Sequence, residues 1–236
     1  MTLKLFILGL PGSGKSEVAR NIDSYIRKKR IRGTRKRWFT RRFSDYSILN
    51  AMANDINERE YFQPADAGGF DVIDNIAFDL GLKRLELVIT NYISSKKKKK
   101  AEIIIIEFAR NDYQRAFSQF NKSFLRDASI IYLGADVKIC KQRVNERASK
   151  QIYPDDDYPV SDYIFEHYYH SDDGEYLADF LEQDFGIARQ RVLFIDNNHS
   201  LQEAIERIMP FIVTIFDFVS SREDSILLAH SPLDSM

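Results

Sequence analysis

Gly9-Leu10-Pro11-Gly12-Ser13-Gly14-Lys15-Ser16 matches the pattern G-x-x-x-x-G-K-[ST] at every specified position. The residue types suit one task. Glycines permit backbone conformations in which successive N–H groups converge on phosphate oxygens. A helix that starts at the lysine adds the positive end of its dipole. In such a loop Gly9, Gly12, Ser13 and Gly14 form the cradle, Lys15 reaches the β- and γ-phosphates, and the Ser16 hydroxyl ligates Mg²⁺. The stretch therefore predicts a site for ATP or GTP with Mg²⁺. The plainer alternative is a glycine-rich turn between strand and helix that holds no ligand.

The flanking sequence agrees with the loop. Lys4-Leu5-Phe6-Ile7-Leu8 lacks clean alternation, as a strand covered on both faces does. Val18, Ile22 and Ile26 recur every four residues, which predicts a helix from Lys15 to about Lys29. Further strands are expected at Trp38–Phe43, Ile103–Ile106, Ile130–Leu133 and Val192–Ile195, the second of these a β-branched run closed by Glu107. Helices are expected over about Asp136–Ala148, Glu175–Asp184 and Leu201–Ile208. Residues 46–95 read as mainly helical, interrupted near Pro64 and at Gly68-Gly69, with the clearest helix over Asp74–Tyr92. Phe211–Phe216 reads as one more strand, and the Ser-rich end from Ser220 onward carries no signal for order. Strands alternating with helices predict a doubly wound, three-layer α/β/α fold with a mainly parallel sheet.

Composition narrows the class. The 236 residues, 44% hydrophobic and 29% charged, suit one α/β domain with an insertion. We expect a single domain over 1–219, with a helical acceptor region at 45–95, a lid-like insertion at 148–185, and a tail at 220–236. No apolar run approaches the ~18 residues of a membrane span, and the stretch from Leu5 to Leu10 is too short for a signal peptide. The single cysteine, Cys140, excludes an intramolecular disulfide and is expected to be a buried thiol beside Val137 and Val144. These features predict a cytoplasmic protein. The net charge of −1 conceals a polarised chain: ten of the sixteen residues from Arg27 to Arg42 are basic, and eleven acidic residues lie between Asp155 and Asp184 without a Lys or Arg.

Four further segments resemble the P-loop kinases of nucleosides, nucleotides and related small molecules. Ser44-Asp45, after the second expected strand, is similar to the acidic position such kinases place near the acceptor. Glu107-Phe108-Ala109-Arg110 resembles the acid-then-arginine motif of deoxynucleoside and thymidylate kinases. Ile130-Ile131-Tyr132-Leu133-Gly134-Ala135-Asp136, followed by Cys140, Arg143 and Arg147, resembles their fourth strand and arginine-bearing helix. Asp196-Asn197-Asn198 resembles the final strand and base-side loop, which implies that Asn197 contacts the nucleotide. The resemblance spans about residues 3–210. It implies an ATP- and Mg²⁺-dependent kinase of a small molecule, with a nucleoside or nucleotide as leading acceptor.

The chemistry points the same way. Phosphoryl transfer is mainly positioning and charge neutralisation, and ligands of open α/β sheets sit beyond the C-terminal ends of the strands. Asp45, Glu107 and Asp136 follow expected strands there. Asp45 or Glu107 could orient the acceptor hydroxyl or take its proton, and Glu107 could instead act through Mg²⁺-bound water. Asp45 has the alternative role of a helix cap. Arg110 is expected to contact substrate or phosphate. Arg143 and Arg147, four apart on one helix face, could neutralise the transferring group or form a solvated flank. The acidic stretch after Lys150 departs from arginine-rich nucleotide-kinase lids and leaves room for an acceptor with little negative charge.

Other features weigh less. Lys96–Lys100 precede a strand and read as a solvated turn. The Arg27–Arg42 block could bind polyphosphate or RNA, but no RNA-binding motif accompanies it, so nucleic acid is the less favoured partner. His167 and His170 match no metal-ligand string. Tyr158, Tyr163, Phe165, Tyr168, Tyr169 and Tyr176 read as packing for a lid. The competing class is a P-loop ATPase or nucleotide-dependent regulator acting on a protein or nucleic acid. Against it, the chain has no Asn-Lys-x-Asp string and no hydrophobic strand ending in Asp-Glu.

Overall fold

The computed structural model describes residues 2–28, 38–66, 68–95, 101–150, 152–153 and 158–229, with side chains described as far as residue 215. The chain opens with β1 (Thr2–Leu8), the phosphate loop and α1 (Lys15–Lys28), then β2 (Trp38–Ser44) and α2 (Asp45–Ala53). A small hairpin follows, β3 (Phe62–Pro64) and β4 (Phe70–Val72), and then α3 (Ile76–Ser94) and β5 (Ala101–Phe108). Two short helices, α4 (Tyr113–Ser118) and α5 (Lys122–Leu125), lead to β6 (Ser129–Gly134) and α6 (Val137–Lys150). The chain continues through α7 (Asp162–His167), α8 (Leu177–Phe185), β7 (Val192–Asp196) and α9 (Leu201–Ala229).

Five of the strands form one parallel sheet in the order β2-β5-β1-β6-β7. Its central strands are apolar on both faces, for the reason the sequence suggested: each face has its own helical layer. Leu3, Leu5 and Ile7 of β1, with Ile103 and Ile105 of β5, pack against α1 and the start of α9. The intervening Phe6, Leu8, Ile104, Ile106 and Phe108 pack against α3, α4, α5 and α8 on the other side. The architecture is thus three-layer α/β/α. A third apolar cluster stands above the strand ends, joining Leu49, Met52, Phe62, Val72 and Phe78 to Cys140, Val144, Ile164, Phe165, Tyr168 and Tyr169. Cys140 is fully buried, as expected, and burial pushes its thiol up to about 11.

Three expectations are corrected. Residues 46–95 are not simply helices with breaks: Phe62–Pro64 and Phe70–Val72 pair antiparallel. Gly68 and Gly69, both at positive φ, lie between them, and burial of Phe62 and Val72 against the third cluster holds the hairpin in place. Phe211–Phe216 is helix, not strand, because Ala204, Ile208 and Ile212 continue a four-residue spacing into the layer beside α1. That burial carries the helix past Pro210, whose ring removes one backbone bond. The same helix continues beyond Ser220 to Ala229, where no order was expected. Lys96–Lys100 and most of the Arg27–Arg42 block lie outside the described residues, as do residues 154–157 of the acidic stretch.

Candidate functional site

The phosphate loop joins the end of β1 to α1, at the C-terminal edge of the sheet. Its glycines are required by contact as well as by dihedral angle. Gly12 has φ +86°, and a Cβ there would lie 2.2 Å from the Cys140 carbonyl oxygen. Gly14 has φ +98°, and its Cβ would meet the Asn197 amide at 2.8 Å. The loop is therefore pressed against α6 on one side and the end of β7 on the other. The Gly9 N–H donates to the buried Tyr113 hydroxyl at 2.9 Å. Asn197, also buried, donates from its amide to the Ser13 carbonyl at 2.8 Å, so its side chain braces the loop. Ser13 is fully buried and its hydroxyl has no hydrogen-bond partner.

Lys15 folds over its own loop, with Nζ donating to the carbonyls of Gly9 and Leu10 at 2.7 and 2.8 Å. Burial lowers its pKa to about 8, against the opposing pull of Glu107. A lysine held at carbonyls that a phosphate could replace, in a poorly solvated place, gains most from an arriving anion.

Glu107, one residue before the end of β5, is only 3% exposed. Its Oε2 accepts from the Ser16 hydroxyl at 3.4 Å and from Arg42 Nη2 at 3.1 Å, and Arg42 Nε donates to Oε1. Arg42 Nη2 also donates to Ser16 Oγ at 2.7 Å. Ser16, Glu107 and Arg42 are thus a single cluster at the mouth of the loop. Ser16 and Glu107 offer hard oxygen donors side by side, the chemistry Mg²⁺ requires, and this ion takes few protein ligands when phosphates supply the rest. The residues fit the ion.

Asp45 lies across the crevice at the start of α2. The cap of that helix is Ser44, whose side chain accepts from the Tyr46 N–H at 3.3 Å, so the capping alternative belongs to Ser44. Asp45 is instead buried and paired with Arg110. Arg110 is 2% exposed, donates also to the carbonyls of Ala109 and, at 2.9 Å, Phe78, and lies 4.6 Å from the Phe78 ring centre. Its groups are directed at Asp45 and the backbone behind it, an arrangement that fixes the carboxylate.

Arg143 and Arg147 share a face of α6. Arg143 donates to the Asn197 carbonyl at 2.9 Å. Arg147 borders the crevice beside Gly12, Gly14 and Ser16, and its Nε is buried without a hydrogen-bond partner. Its guanidinium lies 5.5 Å from the Tyr158 ring centre. Asp136 accepts from the Lys138 N–H through its side chain and orders the entry to α6.

Gly12, Gly14, Lys15, Ser16, Asp45, Glu107 and Arg147 line one solvent-open crevice with Arg42, whereas Arg110, Asp136, Arg143 and Asn197 are not in its lining. Beyond the phosphate end it is walled by Tyr46, Phe70, Phe78, Tyr158 and Tyr169, with Asp45, Asp71 and Ser161 among them. Tyr46 stacks on Tyr158 at 3.4 Å and on Phe70 at 5.6 Å. Asp71, 5% exposed, accepts from the Ser161 hydroxyl, which links the hairpin to the N-terminus of α7. Of the aromatic residues read as lid packing, Phe165, Tyr168 and Tyr169 are in the third cluster, Tyr158 faces the crevice, and Tyr163 and Tyr176 are exposed. His167 contacts the Tyr163 carbonyl and His170 its neighbour Ser171. No group of three or more His, Cys, Asp or Glu gathers for a metal among the described residues.

Sequence reasoning missed Arg42, Tyr113 and Asp71. Arg42 was hidden inside a basic run, although strand alternation places it on the same side of β2 as Ser44, and Ser44 registers with Glu107. Tyr113 and Asp71 left no local signal, since long-range contact alone defines them.

The molecule is a three-layer α/β/α fold with a glycine-rich loop after the central strand of a parallel sheet and acids at neighbouring strand ends. No family profile matches the chain, and no curated protein does. Among solved structures it is similar to a gluconokinase from Sinorhizobium meliloti, at 11% identity over 97% of this chain and 98% of that one, with a TM-score of 0.49. It is likewise similar to a sugar kinase from a Janibacter species (14%, covering 90% and 95%, TM-score 0.48). A third is a shikimate kinase from Acinetobacter baumannii (14%, covering 91% and 94%, TM-score 0.46). No helix among the described residues is long and apolar enough to cross a membrane.

Proposed function

We propose that the protein is an ATP- and Mg²⁺-dependent phosphotransferase acting on a hydroxyl of a small molecule, with a nucleoside as the leading acceptor. The observation that carries this reading is the crevice itself. It runs from the phosphate loop, past two carboxylates on different strand ends, into a compartment with aromatic walls. A nucleotide switch or motor has no need of that second compartment.

In the proposed reaction the acceptor oxygen bonds to the γ-phosphorus while the bond from phosphorus to the β–γ bridging oxygen breaks, and ADP leaves with that electron pair. Asp45, held by Arg110, accepts the hydrogen bond of the acceptor hydroxyl and receives its proton. Lys15 neutralises β- and γ-phosphate oxygens. Arg147, with an unused donor at the boundary of the two compartments, pairs with the transferring group, and Arg143 supports α6 through the Asn197 carbonyl. Ser16 and Glu107 hold Mg²⁺, which when bound neutralises phosphate charge. Gly9, Gly12, Ser13 and Gly14 shape the loop, and Asn197 acts from beneath it. Within the expected lid-like insertion 148–185, Tyr158, Ser161, Ile164 and Tyr169 wall the acceptor side, while α8 packs into the sheet core.

The charge of the acceptor compartment favours a nucleoside over a nucleotide. Its described lining includes Asp45 and Asp71 and, apart from Lys15, Arg42 and Arg147 at the phosphate end, no basic side chain. A phosphorylated acceptor would bring a dianion beside Asp71 and beside Asp45, whose partner Arg110 is already engaged by that carboxylate and by the backbone. Tyr46, Phe70 and Tyr158 stack on one another and give the compartment an apolar wall, and the carboxylates suit donors such as hydroxyl and amino groups.

The test is ATP turnover against a panel of nucleosides, nucleoside monophosphates, neutral sugars and sugar acids, with product mass as readout. Phosphorylation of a nucleoside, and not of its monophosphate, is the expected result. Turnover stimulated only by RNA, or hydrolysis indifferent to every acceptor, would overturn the proposal.

A further inference from the structure

The cluster at the mouth of the loop contains a cation of its own. Arg42 contacts both carboxylate oxygens of Glu107, and its Nη2 reaches Ser16 Oγ at 2.7 Å. Ser16 and Glu107 are also the two residues whose chemistry suits Mg²⁺. A guanidinium that binds the same two oxygen groups blocks the approach of a metal, since two cations cannot share one set of donors within contact distance. Without Arg42, Glu107 would lose both ion-pair contacts and keep the less direct pull of Lys15, an expensive arrangement for a nearly buried carboxylate.

We infer that Arg42 is the resident cation of the Ser16–Glu107 pair, and that a divalent ion and this guanidinium occupy the pair in competition. Arg42 thereby makes the resting protein a poor metal binder. Arrival of a nucleotide polyphosphate changes the balance, because its oxygens offer the metal additional ligands and offer Arg42 an anionic partner. The side chain is about 30% exposed, with room to turn toward the crevice it lines. The site thus takes the metal together with the nucleotide and rejects the bare ion. This inference rests on the reading of Ser16 and Glu107 as the Mg²⁺ site.

The experiment uses Mn²⁺ as probe, with its paramagnetic resonance signal reporting free ion, and needs no turnover. Wild type, R42Q, R42K and the double variant R42Q/E107Q are titrated without nucleotide and then with a non-hydrolysable ATP analogue. R42Q is expected to bind Mn²⁺ at least tenfold tighter than wild type without nucleotide, with a larger rise in melting temperature on adding the ion. R42K, which keeps a cation but loses the fork, should fall between them, and R42Q/E107Q should lose the gain. Equal Mn²⁺ affinity in R42Q and wild type would overturn the inference while leaving the kinase reading intact, provided the analogue still recruits Mn²⁺ to wild type. Failure of wild type to bind Mn²⁺ even with the analogue would remove the metal site, and both readings with it. If R42Q does not fold without metal, rescue of its folding by Mn²⁺ supports the inference, and rescue by nothing but restoration of Arg42 overturns it.

Discussion

At the scale of single residues, the site is built from charged groups whose partners are set across the sheet. Lys15 is the clearest case. Burial lowers its pKa to about 8, so in the free protein its charge is lost as pH rises through that value. A phosphate beside Nζ favours the charged form and raises the pKa again. ATP binding near pH 8 should therefore take up a proton, and affinity should fall as pH rises through 8 and beyond. Calorimetry in buffers of different ionisation enthalpy measures that uptake, and a pH-independent affinity between 7 and 9.5 would refute it. Lys15→Ala should abolish ATP binding at every pH. Asp45 yields a different pattern. Asp45→Asn should lower turnover on the order of 100-fold or more while ATP-analogue affinity changes little. Because the variant leaves Arg110 buried opposite a neutral group, it should also cost about 3–5 kcal/mol of stability, read by denaturant unfolding. Loss of stability with unchanged turnover would show that Asp45 serves the fold alone.

Elements of secondary structure act here mainly by their ends. The phosphate loop is held by β6, α6, β7 and α4 at once: Leu133, Cys140, Asn197 and Tyr113 each touch it. Tyr113→Phe keeps the ring but leaves the buried Gly9 N–H without its acceptor, which should cost about 1–3 kcal/mol. ATP affinity should weaken at the same time, since the loop loses an anchor, and an unchanged affinity would show that the loop does not depend on α4. The acidic stretch acquires a physical account on the same scale. Asp173 accepts from the N–H groups of Tyr113 and Gln114 at the start of α4, and Asp172 accepts from the Tyr132 hydroxyl and the Gly174 N–H. These carboxylates fasten the segment before α8 to the sheet and to the helix that anchors the loop. Asp173→Ala should therefore lower the melting temperature, by the few degrees that about 1 kcal/mol represents.

For the molecule as a whole, stability and site share one core. Phe6 in the central strand meets Phe108, Phe117, Phe120 and Phe124 within 6.4 Å between ring centres. Phe6→Ala should cost about 3–5 kcal/mol in urea unfolding. Phe108 follows Glu107 on β5 and touches Tyr113, so the cavity would loosen both sides of the loop. ATP affinity should fall along with stability, and a stable variant with intact affinity would show that the core and the loop are independent. The third cluster, above the sheet, joins α2, α3, the hairpin, α6 and α7. It sets the distance between Asp45 and the phosphate loop.

Much of the fold was legible in the chain because its signals are local. An apolar strand, a glycine-rich loop with Lys15 and Ser16, and a helix with four-residue spacing are contiguous, and backbone sterics interpret them without further help. The acids Asp45 and Glu107 were legible because strand ends converge in a parallel sheet. Other features were not local. Whether residues 62–72 formed a helix or a hairpin, and whether 211–216 formed a strand or continued a helix, depended on which apolar surface was there to cover them. Arg42, Tyr113 and Asp71 owe their places to partners 65, 104 and 90 residues away. The sequence alone determined that a phosphate loop would stand at the end of a central strand. Only the tertiary structure could decide what braces that loop and which charges face the crevice, because both depend on contacts between segments far apart in the chain.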